Sequence, residues 1–389
     1  MEALGKQNRS AISAVIFLVS VFIAFPCGVS YAGEHDGQYI RVAVIKDVRS
    51  LRLKVEGPYE IRGLNDKDVV YEGRNLNGTV TCSKGSILFG KMKFKSNKLS
   101  IFPKNGQALF VNSRPYRGSI NLIKADSLKF TVVNALGLED YLNGILFNEV
   151  SHYWPVEALK AQAVVCRTYA VYQIQRNKNR DFDVTSDIYS QVYGGRTSER
   201  YRTNKAVEDT RGVVLLFRGK IFPAYFHSTC AGHTEDASKL WGGNPYTMKG
   251  SPCDFCKDSP HFNWHAVLTL SEIEKRLKAA GSSPGSIKGI EILGRNDSGR
   301  ITDLNIRSSK GNLVISGKDF RQALGPEEIR STNFSVRIME RDAVFEGVGW
   351  GHGAGLCQWG AYFMAKSGST SEKILKYYYP GTQLSSVDN

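Results

Sequence analysis

The sequence predicts an α+β fold, on three observations. Between Tyr39 and about Thr131, short β-like runs alternate with Gly, Asn and Asp at hairpin-like intervals. From about Leu136 the periodicity turns helical, led by a long segment that Trp154-Pro155 opens. Beyond it, helix-like and strand-like stretches intermix without a regular strand–helix–strand repeat, which favours α+β over a doubly wound sheet.

The β-like runs are 40–45, 68–71, 78–81 and 108–111, and together they read as an all-β module over 39–135. No internal repeat or cluster of reactive side chains marks it, so binding or scaffolding is its expected use. The remainder, 136–385, is the expected second unit. A short helix is expected from Leu138 to Gly144 and a longer one over 155–176, with proline in the first turn where its missing N–H does no harm. In the long helix Val156, Leu159, Ala163, Cys166, Ala170 and Ile174 recur at spacings of three and four, forming an apolar stripe that faces a core. Strands are expected at 212–217, 221–227, 303–307 and 312–315, and helices at 271–279 and 318–323. The chain closes with helices at 358–366 and 372–379, stopped by Gly368 and by Pro380-Gly381.

Composition narrows the class. The chain has 389 residues, 42% hydrophobic and 23% charged, which excludes disorder, collagen and coiled coil for the whole. There are 51 Lys+Arg against 37 Asp+Glu, a formal charge of +14, so the surface suits polyanions: nucleic acid, anionic lipid or acidic envelope polymers. The N-terminus chooses among them. Lys6 and Arg9 precede an apolar run from Ala11 to Phe25, and Ser30-Tyr31-Ala32 supplies small residues for a signal peptidase. Residues 1–32 thus read as a secretory signal peptide. The rival is an uncleaved anchor, since the run reaches about 18 residues if Pro26 and Cys27 are tolerated. Either way the remainder is exported, to a periplasm or cell envelope, and nucleic acid is not an expected partner. Seven cysteines (27, 82, 166, 230, 253, 256 and 357) would become six after cleavage, a number that permits disulfides.

Four groups of residues could carry chemistry. Glu149 lies ahead of the long helix among Leu146, Phe147, Val150, Tyr153 and Trp154. Aromatic, apolar surroundings disfavour the charged carboxylate, raise its pKa and suit it to act as a general acid. The alternative is a surface glutamate at a helix start. Lys160 and Arg167, two helical turns apart, share one face at the rim of the apolar stripe. They are placed either to meet a substrate anion or to snorkel at a core edge. Cys230-x-x-His233 and Cys253-x-x-Cys256 form two chelating pairs with ribbon-like spacing. These four are the candidate metal ligands, for a structural zinc, with disulfide or free thiols as alternatives. His227 is a substitute ligand or a polar contact in the cleft. Finally, Gly347-Val-Gly-Trp-Gly-His-Gly-Ala-Gly355 has glycine at every second position and lacks the G-x-G-x-x-G spacing of a phosphate cradle. Read as an extended segment, it bares one face to another backbone or a flat sugar and projects Trp350 and His352 from the other. A tightly packed strand is the plainer reading.

Three blocks resemble the SpoIID/LytB family, named for stage II sporulation protein D. They are Asn148-Glu-Val with the following Trp-Pro-Val-Glu-Ala-Leu-Lys-Ala-Gln-Ala-Val-Val-Cys-Arg-Thr-Tyr169, Gln191-Val-Tyr-Gly194, and Gly349-Trp-Gly-His-Gly-Ala-Gly-Leu-Cys-Gln-Trp-Gly-Ala361, trailed by Ile374-Leu-Lys-Tyr-Tyr-Tyr-Pro380. The resemblance implies a peptidoglycan lytic transglycosylase with Glu149 as catalytic acid. It makes Lys160, Arg167, His227, Gln191, Tyr193, Trp350, His352 and Gln358 the candidate substrate contacts, and it implies zinc in the middle region. Two departures stand out: Cys357 occupies a position where a hydroxyl is common, and Cys230-Ala231 interrupts a usual Gly-rich stretch. Hydrolysis of a glycoside uses two carboxyl groups. Only one is evident here, which fits a reaction in which the muramyl 6-hydroxyl replaces water. The implied partners are peptidoglycan glycan strands and other cell-wall hydrolases. A LytB-like, non-catalytic wall binder that enhances an amidase is the alternative, and a zinc amidase a third.

Overall fold

The structure, a computed structural model, describes residues 38–64, 68–124, 128–240 and 249–387. The expected signal or anchor segment lies outside the described residues. Among those described, no helix is long and apolar enough to cross a membrane.

Eleven strands make the first sheet: β1 (Tyr39–Val48), β2 (Ser50–Gly63), β3 (Val69–Ser83), β4 (Ser86–Phe89), β5 (Met92–Phe94), β6 (Lys98–Pro103), β7 (Leu109–Val111), β8 (Arg114–Tyr116), β9 (Ser119–Lys124), β10 (Phe130–Gly137) and β11 (Val184–Thr185). Their main order is β11-β1-β10-β9-β6-β2-β3-β4-β5, with β7 and β8 branching from β2. β9 is buried at five consecutive positions, from Ser119 to Ile123, as befits a strand covered on both faces. The runs at 68–71 and 78–81, separate in the sequence reading, belong to one fifteen-residue strand. β2 carries it as a continuous partner from Val69 to Thr81, with irregularities of register along the way.

Among the described residues the eight helices are α1 (Leu138–Glu149), α2 (Val156–Arg176), α3 (Tyr201–Asp209), α4 (Ala237–Leu240), α5 (Leu270–Ala279), α6 (Gly317–Leu324), α7 (Gln358–Lys366) and α8 (Ser371–Tyr378). The mixture is α+β, as expected. α1 runs five residues beyond the expected Gly144, so Glu149 is its last residue. α2 departs more. Instead of one stripe, nearly every residue from Ala158 to Val171 is buried. Leu159, Ala163, Cys166 and Ala170 enter the core beneath the large sheet. Ala161, Val164 and Val165 enter a second core with Phe222, Leu356, Ile374 and Tyr379. The abundance of alanine lets two layers close on opposite sides of one helix.

A third core belongs to an inserted unit. Asn263–Thr269 and Asp342–Val348 pair antiparallel from Asn263↔Val348 onward, so the insertion's two ends leave side by side. Asn263–Thr269 alternates exposed and buried residues without a break, the pattern of a strand with one wet face. Phe334–Met339 extends this sheet, and Ile287–Arg295, Ile301–Ser308 and Gly311–Ser316 form another. Between them Trp264, Phe320, Phe334 and Phe345 meet in edge and tilted ring contacts, with α5 and α6 closing the layer. Sequence patterning found the second sheet's hairpin and both helices. The expected strand at 221–227 is divided: Pro223 lies between Lys220–Ile221 and Phe226–His227, which join different sheets.

Candidate active site and thiol cluster

Glu149 ends α1, where the chain must turn toward Trp154-Pro155 and α2. Its Oε1 accepts the Val192 N–H at 2.9 Å. The segment that supplies this N–H is fixed on several sides. The Tyr141 hydroxyl donates to Gln191 Oε1 at 3.0 Å, Asn148 Nδ2 donates to the Val192 carbonyl at 2.9 Å, and the Tyr193 hydroxyl donates to Asn134 Oδ1 at 2.7 Å. Glu149 keeps a partly exposed surface. Burial of the carboxyl raises its pKa from 4.5 to about 7, against the lowering effect of the Val192 N–H. At neutral pH it is therefore a mixture of acid and carboxylate, the condition for giving and then taking a proton.

Beyond Gly347-Val348, which end the strand Asp342–Val348, the glycine segment is not extended. Gly349, Gly351, Gly353 and Gly355 have φ of 80°, 111°, 89° and 72°, so the backbone enters the left-handed region at every second residue. That, more than a bare strand face, explains the alternating glycines. The close approach to a second backbone does occur. A Cβ on Gly355 would lie 1.9 Å from the Tyr225 carbonyl, and one on Gly351 would lie 2.7 Å from His227 Cβ. Thr229 and Trp350 exchange backbone hydrogen bonds at 3.0 and 2.9 Å, and Phe226–His227 runs parallel to Leu356–Cys357. His227 and His352 thus face one another with ring centres 5.7 Å apart. His227 Nδ1 meets the Ala354 carbonyl at 3.1 Å, while its buried Nε2 has no hydrogen-bond partner. Burial, with the Arg300 cation, lowers the His227 pKa to about 3. His352 is held well below the ordinary range by burial first, then by His227, Arg321 and Arg300. Both rings are neutral at physiological pH. Gln358 links this region to the acid: its Nε2 donates to the Glu149 carbonyl at 3.2 Å.

Other candidates fall elsewhere. Arg167 is fully buried within α2. Nε and Nη2 bind Glu139 bidentately at 2.7 Å each, and the remaining donors reach Val207, Thr210 and Val213. A guanidinium so occupied is a structural charge, which corrects the expectation of a substrate contact. Lys160 is half-buried and lies 3.3 Å from Asp209 and 3.7 Å from Glu157. Gln191 and Tyr193 are buried supports of the Glu149 loop and present no surface to a ligand. Trp350 is half-buried, as are Trp154 and Trp359, whose rings are 5.1 Å apart.

The candidate ligand set needs one change. Cys230, Cys253, Cys256 and Cys357 are all buried, with sulfur atoms within 4.8 Å of one another. His233 is outside this group, with its Nδ1 against the Thr234 carbonyl at 2.6 Å. The reason is topological. The parallel pairing of Phe226–His227 with Leu356–Cys357 brings together residues 127 apart in the chain. The Cys357 sulfur also accepts the Cys230 and Gly360 N–H groups, each at 3.3 Å, and donates to the Ser228 carbonyl at 3.7 Å, while burial pushes its thiol well above the usual pKa. Shared hydrogen bonds with Cys230, Cys253 and Cys357 hold the Cys256 thiol below its usual pKa, whereas Cys230 is driven up. Four buried thiols at such separations could hold a metal. A tetrahedral ion with bonds of about 2.3 Å would need sulfur–sulfur distances of about 3.8 Å. All six described cysteines are free.

Comparison with known proteins agrees with this architecture. The Stage II sporulation protein family SpoIID matches residues 126–217, which contain Glu149 and α2, and a domain of unknown function, DUF8618, matches 253–355. An uncharacterised protein of Brachyspira hyodysenteriae is 32% identical over 352 residues, covering 89% of this chain and 92% of its own length. Stage II sporulation protein D of Bacillus subtilis is 29% identical, over 76% of this chain and 90% of that protein. The amidase enhancer of the same organism is 27% identical, over 83% of this chain and 52% of that protein. The chain belongs to the SpoIID/LytB family, whose roles are related to the cell wall.

Proposed function

We propose that this protein is an exported lytic transglycosylase that cleaves peptidoglycan between N-acetylmuramic acid and N-acetylglucosamine, with Glu149 as its single acid and base. Residues 136–385 carry the reaction, beside a β-rich module at 39–135. The protonated carboxyl gives its proton to the glycosidic oxygen as the bond from that oxygen to C1 breaks. The 6-hydroxyl oxygen of the same muramyl residue then bonds to C1, and its proton passes to the carboxylate. The product ends in 1,6-anhydromuramic acid and Glu149 is protonated again.

The observation that carries this reading is a carboxyl held near pKa 7 by burial alone, with no second carboxylate contributing to its shift. Neutral His227 and His352 across the glycine segment suit an uncharged sugar. Zinc bound by Cys230, Cys253, Cys256 and Cys357 would be structural: four thiolates leave no open position, so it would tie the inserted unit's base to α7 without entering the reaction. The expected partners are glycan strands and other cell-wall hydrolases. Glu149→Gln should abolish anhydro-product release from peptide-free strands while leaving strand binding intact; normal cleavage by that variant would end the assignment.

Similarity to an amidase enhancer favours a second reading, a wall-binding protein without its own chemistry. It predicts intact strands with the wild-type protein and faster peptide release only when an amidase is added.

A further inference from the structure

Beside the glycine segment runs a ledge of half-buried rings. His261 contacts Trp350 edge-on at 4.8 Å between centres and Trp359 at 6.0 Å, and Trp359 in turn meets Trp154. At the far end the Arg330 guanidinium sits over the Trp350 ring, 4.6 Å from its centre. Its backbone is held on two sides. Gly351 N–H donates to the Arg330 carbonyl at 2.8 Å, and Arg321 Nε donates to the carbonyls of Ile329 and Arg330 at 2.9 and 3.2 Å. Among the described residues the half-buried Arg330 guanidinium meets no carboxylate and donates no hydrogen bond to protein. An arginine stacked on tryptophan keeps its charge and a fixed fork of donors. Such a fork fits a carboxylate, and the adjoining rings fit the C–H face of a sugar.

We infer that Arg330, Trp350, His261 and Trp359 form a subsite for a carboxylate-bearing sugar of a glycan strand whose neighbouring linkage lies at Glu149. This extends the transglycosylase reading and rests on it for the position of the scissile bond. Trp359 follows Gln358, whose Nε2 donates to the Glu149 backbone carbonyl, so the chain segment that carries the ledge also touches the end of α1. His261 has its pKa lowered by burial and by Arg330, so it adds no second charge to the ledge. The occupant is an acidic saccharide, because a neutral one would leave the arginine unanswered. The inserted unit gains a role as well, since it contributes Arg330 and its ends carry His261 and Trp350.

The test is equilibrium binding by full-length protein carrying Glu149→Gln, using two probes: peptide-free peptidoglycan strands, and the same strands with carboxylates converted to carboxamides. The acidic strands should bind about tenfold more tightly, the worth of one charge-assisted hydrogen-bonded pair. Adding Arg330→Gln should erase that preference and leave binding of the amidated strands unchanged, while Arg330→Lys should keep part of it. Trp359→Ala should weaken both probes alike. An unchanged preference in Arg330→Gln, equal loss of both probes in that variant, or no preference in the parent overturns the proposal. Residual cleavage by the Glu149→Gln parent would instead overturn the catalytic reading, because the affinity ratio does not depend on turnover.

Discussion

Glu149→Gln should stabilise the protein at alkaline pH and do almost nothing at acidic pH. Burial raises this carboxyl from 4.5 to about 7 in the folded state. At pH 4 it is protonated whether the chain is folded or not, and the neutral amide replaces a neutral acid. Between pH 4.5 and 7 the unfolded chain releases the proton first, so the wild-type protein loses stability as pH rises through that window. By pH 8 the accumulated penalty is about 3 kcal/mol as an upper bound, at 1.36 kcal/mol per pKa unit. The partly exposed surface of Glu149 reduces it. The Val192 N–H keeps an acceptor in the variant, so the comparison isolates charge from hydrogen bonding. Urea unfolding of both proteins at pH 4, 5.5, 7 and 8 measures this directly. A stability difference that grows with pH is expected. A constant difference, or one favouring the wild type at pH 8, would show that the carboxyl is not held neutral by burial.

Other substitutions separate structural charges from ligand contacts. Arg167→Met should cost about 3 kcal/mol, because it removes the bidentate partner of the Glu139 carboxylate and leaves it, among the described residues, only the Gly212 N–H. Its affinity for glycan should be unchanged at temperatures where it remains folded; normal stability with lost binding would return Arg167 to the substrate. Metal analysis of purified protein should find one zinc per chain, reduced by Cys357→Ser and unaffected by His233→Ala. The reverse pattern would restore the sequence-derived ligand set.

Much of the region around the candidate site could be read directly. The long helix was legible because Pro155 and an unbroken series of three- and four-residue spacings leave little choice of conformation. The raised pKa of Glu149 was expected from its apolar sequence neighbours, yet Tyr153 is exposed and the groups that sense its charge are Tyr141, Cys166 and Tyr169, brought there by the fold. The glycine segment was found but misread: alternate glycines serve an extended face or alternate left-handed residues equally well, and only contacts with Tyr225 and His227 decide. Arg167 was placed at a rim because helical angles assume one buried side, whereas α2 is covered on two. Cys357 was missed as a thiol partner because short spacings suggest local chelation. The parallel pairing that unites it with Cys230 has no local signature. Arg330 and His261 were missed for a similar reason, as neither belongs to a motif and both matter through distant rings. Trp264, Phe334 and Phe345 build a core whose strands were mostly overlooked, although Asn263–Thr269 alternates buried and exposed residues along its whole length and only Glu340-Arg341 separates Phe334–Met339 from Asp342–Val348.

The account depends on bond breaking without water as a reactant. Digestion of peptide-free glycan strands in heavy-oxygen water, followed by mass spectrometry of the new ends, tests that most directly. Anhydromuramyl ends carrying no heavy oxygen are predicted. Reducing ends that each carry one heavy oxygen atom would identify a hydrolase with a second catalytic group and contradict the single-carboxyl mechanism.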